Sequence, residues 1–342
     1  MTTIDNNTCN IVLPRQRFAG FDWMRAVFIT FVVSMHLNLA QQIAGQSEKV
    51  TWSDILQSQI FCTAVPGFLF LAVFLQCVKN PDLARERNLF IGYFYLYVFW
   101  VASWTLLTRS RPEPTLWGII SFVLQGGGWA YYFFTVLILV QIIRFFVKNW
   151  TDRGLFMGFL LSECIIAGIL WKFSQDGHTW MRVETYWWPI NALPIPFAAA
   201  ILSRHHARIC NDSRLWWRLM GGGILITAIA VVWEWSLAAP AGLDSERRFL
   251  PEYLRISLIL TVLAFVFIAL KVTYVPRFIL FLSRNSLGIF CLHVFILGGV
   301  YKCVHLLIPH PVLASVVTLM VIIVGAAWLS ELFRKILQVR LV

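Results

Sequence analysis

Charge is scarce in this chain. Only 13% of its 342 residues are Asp, Glu, Lys or Arg, and just 17 are acidic. Soluble domains carry roughly a quarter charged residues, so an ordinary water-soluble fold is excluded. Several chemistries are also missing from the sequence. There is no CxxC pair and no Gly-x-Ser-x-Gly elbow, and the glycine triplets at 126–128 and 221–223 are not followed by Lys-Ser or Lys-Thr. Phosphate-loop and covalent serine chemistry therefore have no basis in the sequence. The seven cysteines (9, 62, 77, 164, 210, 291 and 303) fall mostly in apolar stretches. They read as small apolar side chains, and neither a disulfide framework nor a metal site is expected.

What is abundant is apolar surface. Hydrophobic residues make up 59% of the chain, and the mean hydropathy is +0.72. A hydrocarbon layer about 30 Å thick needs about 20 apolar residues per helical crossing. Windows of that kind fall at roughly 18–39, 58–78, 89–108, 129–148, 155–173, 188–203, 219–237, 253–271, 279–301 and 312–333. The expectation is an all-α polytopic membrane helical bundle of about ten transmembrane helices, built as one domain over 1–342 with a short tail at 1–17. Tryptophans at many window ends, Trp52, Trp150, Trp171, Trp188, Trp217 and Trp235 among them, fit interfacial belts. The polar tail with Arg15 and Arg17 before a long apolar run reads as a retained signal anchor, because that run exceeds a typical signal core.

The net charge of +11 is spread in short clusters between windows, which speaks for membrane orientation and against nucleic acid. With the amino terminus in the cytoplasm, eighteen of the 28 Lys and Arg residues fall inside and eight outside, leaving Arg25 and Arg255 within windows. Both termini are thus expected in the cytoplasm. The sixth window is interrupted by Pro189, Pro194 and Pro196 around Asn191. Broken helices at membrane depth usually line a cavity, since freed backbone groups need partners.

Ionisable residues inside such a bundle are candidates for a site. Arg25 and His36 stand eleven residues apart in the first window, within about 20° of whole helical turns and about 16 Å apart along the axis. Asp22 precedes Arg25 by three residues and leans to the same side. His36 suits a general base near neutral pH, and Arg25 offers a fixed positive fork for a phosphate, a carboxylate or a polarised carbonyl. The same phase fits an inert Asp22–Arg25 ion pair with a histidine capping the outer helix end. Glu163, Glu234, Arg255 and His293 are further ionisable residues at membrane depth, available to line a cavity or to pair with one another.

Phe21-Asp22-Trp23-Met24-Arg25 followed by ten residues and His36 resembles the opening of the integral-membrane acyltransferase-3 family. That family typically begins with Leu-Asp-Gly-Leu-Arg and places a histidine eleven residues after the arginine. The run from Leu282 through Ser286-Leu287-Gly288-Ile289-Phe290 to His293 is similar to the family's late span, and Asn191 to Pro196 to its proline-containing middle span. Trp129-Ala130-Tyr131-Tyr132-Phe133 loosely resembles the segment that opens its fourth span.

The resemblance covers nearly the whole chain. It implies a multi-pass enzyme of a bacterial cytoplasmic (inner) membrane, an O-acyltransferase moving an acyl group, acetyl by default, from acetyl-CoA or another acyl-CoA to a hydroxyl. The implied partners are acyl-CoA, a carbohydrate or lipid-linked glycan acceptor and membrane lipids, with no metal and no nucleic acid. It makes His36 the essential residue with Arg25 and Asp22 in support. Arg85 and Arg87 match the family's loop arginines associated with the donor, although their spacing departs from the usual Arg-x-x-Arg and plain topology anchors fit them as well. Glu163, Asn191, Arg255, Ser286, His293 and Trp129 are left as cavity-lining candidates. A transporter or flippase of a lipid-linked glycan uses the same physical features and stands as the alternative. Nothing in the sequence sets the oligomeric state.

Overall fold

The computed structural model describes residues 17–44, 52–127, 131–176, 186–238 and 253–337. Among them the chain is helical, with no strand. The helices are α1 (Ala19–His36), α2 (Leu39–Ala44), α3 (Trp52–Ile55), α4 (Ala64–Lys79), α5 (Leu83–Thr108), α6 (Leu116–Leu124) and α7 (Tyr132–Val147), followed by α8 (Asp152–Gln175), α9 (Pro194–Asn211), α10 (Ser213–Ala238), α11 (Ile256–Lys271), α12 (Arg277–Leu307) and α13 (Pro311–Leu337). Each of the ten apolar windows overlaps one of these helices. Six helical runs among the described residues are long and apolar enough to cross a membrane: Trp52–Lys79, α5, α8, α10, α12 and α13. The molecule is a multi-pass helical membrane protein. Trp129 lies outside the described residues.

Two local features differ from expectation. The prolines of the sixth window do not break a helix. Pro189 opens a 3₁₀ turn at Pro189–Ala192, and Pro194 and Pro196 occupy the first turn of α9, which runs on to Asn211. First-turn amides have no intrahelical acceptor, so proline there removes nothing. The distortion falls in the second window instead. Between α3 and α4 the chain widens into a π turn at Leu56–Ile60 and tightens into a 3₁₀ turn at Phe61–Thr63. Pro66 follows within α4 and has no N–H to offer the carbonyl four residues back.

α1 lies at the centre, packed by α4, α11, α12 and α13. Phe21, Phe28, Ile29, Val32 and Val33 are essentially inaccessible. In lipid such burial gains little from leaving water, so shape fit and close approach carry the packing. Gly20 shows how close: a Cβ there would lie 1.9 Å from the backbone carbonyl oxygen of Ala269 on α11. α5 and α10 form the periphery, with Phe94, Phe99, Ile226 and Val232 exposed as lipid-facing residues would be.

Polar hubs tie these helices together. Arg255, fully buried at the start of α11, donates from Nη1 to the carbonyl of Ser58 in the π turn at 2.7 Å, from Nη2 to Gln59 Oε1, and from Nε to Glu234 Oε2 on α10 at 3.1 Å. Glu234 Oε1 accepts from the Ser257 amide at 2.9 Å, and its other oxygen from the Ser257 hydroxyl. One guanidinium thereby ties the distorted turn to α10 and α11. Removing one member of a buried pair leaves an uncompensated charge, at a cost of about 3–5 kcal/mol. Arg255→Met is therefore expected to lower thermal stability in detergent severely, and adding Glu234→Met to recover much of it; equal stability of Arg255→Met and the parent protein would contradict this role for the hub.

Candidate active site

The two ends of α1 carry different chemistry. At its first turn Asp22 is buried, and its nearest partners are not Arg25. Arg17 Nε donates to Oδ2 at 2.9 Å, and the Ser283 hydroxyl of α12 donates to Oδ1 at 2.6 Å. Arg25 stands 3.8 Å away with 33% of its side chain exposed. Asp22 thus fastens α1 to α12 and gives Arg25 a nearby counter-charge, while the Arg25 guanidinium stays open to an incoming anion.

At the last turn of α1, half-buried His36 meets His293 of α12. The ring centroids are 5.1 Å apart and the planes inclined at 37°. His293 is 1% exposed. Its Nδ1 lies 2.7 Å from the Phe290 carbonyl and 3.2 Å from that of Ile289. Carbonyls only accept, so Nδ1 carries the hydrogen and neutral His293 keeps a lone pair on Nε2. That Nε2 is buried with no hydrogen-bond partner. An apolar wall surrounds it: the Phe290 ring is 6.0 Å from His293 and 4.9 Å from Phe133, and Tyr131 donates to the Cys291 carbonyl at 2.8 Å. A neutral imidazole with a bare Nε2 in an apolar wall is equipped to accept an N–H from the second imidazole beside it.

The distorted run between α3 and α4 holds this end of α1 in place. Gln57, inside the π turn, donates to the carbonyl of Met35 at 3.2 Å. The Met35 sulfur also meets Cys62 Sγ at 3.8 Å and the Tyr253 hydroxyl at 3.9 Å. Tyr253 precedes Arg255 by two residues, and the Arg255 amide donates to its carbonyl at 2.9 Å. Contacts that start at Arg255 therefore converge on the residue beside His36. Tyr253 also walls a mostly apolar cleft with Tyr132, Tyr186, Trp188, Asn191 and Pro66, which has room for about one water molecule.

The remaining sequence candidates are dispersed. Ser286 is buried on α12, about two helical turns before His293. Asn191 lines the cleft and donates to the Tyr186 carbonyl at 3.4 Å. Arg255 is committed to its hub. Glu163 is buried on α8, which packs against α9, α10 and α11, and neither of its carboxyl oxygens has a hydrogen-bond partner. Arg85 and Arg87 are exposed at the start of α5, where Arg85 lies 3.8 Å from Asp82. Glu86 between them turns inward to Arg144. Sequence reasoning missed Ser283, Gln57 and Tyr253 as supports of α1. The signal for Gln57 was present: amides at Gln57 and Gln59 leading into a long apolar run need partners inside the protein.

A family model described as an acyltransferase domain, that of the acyltransferase-3 family, matches residues 18–331, nearly the whole chain. The chain belongs to this family. No curated protein and no solved structure matches it. Membership supports acyltransferase activity, and in this acyltransferase the matched region contains both histidines, Arg25 and the hub that braces them. Displacing a reacting group by about 1 Å costs on the order of 100-fold in rate. Gln57→Ala, which releases the Met35 carbonyl, is therefore expected to lower kcat by roughly tenfold or more with substrate KM little changed. An unchanged kcat in the folded variant would detach the brace from the site.

Proposed function

We propose that this protein is an O-acyltransferase that moves an acyl group, acetyl by preference, from a cytoplasmic acyl-CoA to a hydroxyl of a carbohydrate acceptor such as a surface polysaccharide or lipid-linked glycan. The cytoplasmic (inner) membrane of a bacterium is its proposed setting. The observation that carries this reading is the His36–His293 pair, with a bare Nε2 held in an apolar wall, in a chain of acyltransferase ancestry.

In this mechanism His36 takes the proton of the acceptor hydroxyl as its oxygen attacks the thioester carbonyl. The carbon–sulfur bond breaks, the proton passes from the His36 imidazolium to the departing thiolate, and the products are an ester and free CoA thiol. A neutral imidazole with a bare Nε2 beside His36 is suited to accept the second N–H of that imidazolium. Arg25, open at the inner end of α1, and the exposed Arg85 and Arg87 offer positive charge to the donor's phosphates. No observation favours the flippase alternative.

The test is release of CoA thiol by purified protein given acetyl-CoA and candidate glycans. Release is expected to require an acceptor, and His36→Ala, still folded and binding donor, to slow it by about 10²–10⁴-fold. Full activity of that variant would remove His36 from the mechanism; glycan movement without thioester cleavage would replace the enzyme reading by a transport one.

A further inference from the structure

The chain just past His36 folds back on the end of α1. The Asn38 amide donates to the Met35 carbonyl at 3.1 Å, and Asn38 takes a left-handed conformation with φ of 49°. Asparagine enters that region more readily than most residues. The turn leads directly into α2, where the Gln42 amide donates to the Asn38 carbonyl at 3.1 Å. The Gln42 side chain then reaches back five residues, and its Nε2 donates to the Leu37 carbonyl at 3.0 Å. The last carbonyls of a helix have no partner within it. Leu37 is buried, so its carbonyl depends on a donor from elsewhere.

Gln42 is itself held from two other helices. The fully buried Ser315 of α13 donates its hydroxyl to Gln42 Oε1. The Tyr301 hydroxyl of α12 accepts from Gln42 Nε2 at 3.4 Å. The Tyr301 ring lies against His305, with centroids 4.0 Å apart. Tyr301 is eight residues beyond His293, about 12 Å along the same helix. The helix that presents His293 therefore also contacts the side chain that secures the end of α1. Gln57 already holds the Met35 carbonyl at 3.2 Å. A glutamine thus grips the carbonyl on each side of His36, Gln57 from the distorted turn and Gln42 from α2.

We propose that Gln42 is a positioning residue for His36. By holding the Leu37 carbonyl, and being held by Ser315 and Tyr301, it sets the angle at which the His36 ring meets His293. It acts through the backbone beside His36. Its effect on the rate rests on the acyltransferase reading above; its effect on the His36 ring does not.

Three variants of the full-length protein separate positioning from packing. Gln42→Met keeps the side-chain length and loses both amide contacts. Gln42→Glu, as a carboxylate, still accepts from Ser315 but cannot donate to Leu37. Ser315→Ala keeps the Leu37 bond and loses the tether from α13. Both Gln42 variants are expected to lower kcat by roughly tenfold with KM for donor and acceptor little changed, and Ser315→Ala to lower it less. In a His36→Ala background Gln42→Met should cause no further slowing. The same slowing factor in both backgrounds would assign Gln42 to packing alone and overturn the proposal.

The second readout is NMR of isotope-labelled histidines in detergent, with the His36 signal identified by its loss in His36→Ala. Gln42→Met is expected to shift or broaden that signal and to leave His205, paired with Asp152 at 2.8 Å on α9, where it was. An unmoved His36 signal would overturn the proposal. If Gln42→Met does not fold, Ser315→Ala should move the same signal, and its failure to do so would be equally decisive. A shifted signal in a protein that cleaves no thioester would uphold the positioning role and defeat the acyltransferase reading alone.

Discussion

The grip of Arg255 on the Ser58 carbonyl is the interaction on which the arrangement depends most. A distorted turn in an apolar medium is held best where another part of the protein offers a carbonyl of it a hydrogen-bonding partner. Arg255 supplies that partner and is itself neutralised by Glu234. The distorted turn carries Gln57, and Gln57 holds the Met35 carbonyl beside His36. A charge pair, a helix distortion and a site histidine are therefore one mechanical unit. Removing the guanidinium removes the bonds that tie the turn to α11.

The same logic recurs at two other places. Asp22 with Arg17 and Ser283 fixes the amino-terminal end of α1 to α12, and Glu86 with Arg144 and Gln141 joins α5 to α7. Helices in lipid have no solvent-driven reason to associate, so close steric approach and interhelical hydrogen bonds decide which pairs form. The contact of Gly20 with the Ala269 carbonyl and the three hubs are these two devices. Bonds of this kind fix orientation as well as proximity, and both are needed to hold His36 and His293 against each other from different helices.

Much of this was legible in the sequence. Long apolar windows located the helices, because a 3.6-residue helix in lipid must be apolar over a known length. The eleven-residue step from Arg25 to His36 placed them on one helix face before any fold was known. Other features were not legible. A histidine in mid-span reads the same whether satisfied or poised, and only tertiary packing brings His293 against His36. Pro189, Pro194 and Pro196 look like breakers, yet proline at a helix start is harmless, and only the position of that start separates the cases. Arg85 and Arg87 drew notice through charge, while Glu86 between them makes the buried contact, since one helical step turns a side chain by about 100°.

In the proposed mechanism His36 and His293 act as one unit. Its most direct test is the acyl-transfer rate of His293→Ala measured in the parent protein and again in His36→Ala. Groups that share a step are non-additive. His293→Ala is expected to slow the parent by tenfold or more and to leave the residual rate of His36→Ala unchanged. The same slowing factor in both backgrounds, or full activity of His293→Ala, would contradict it.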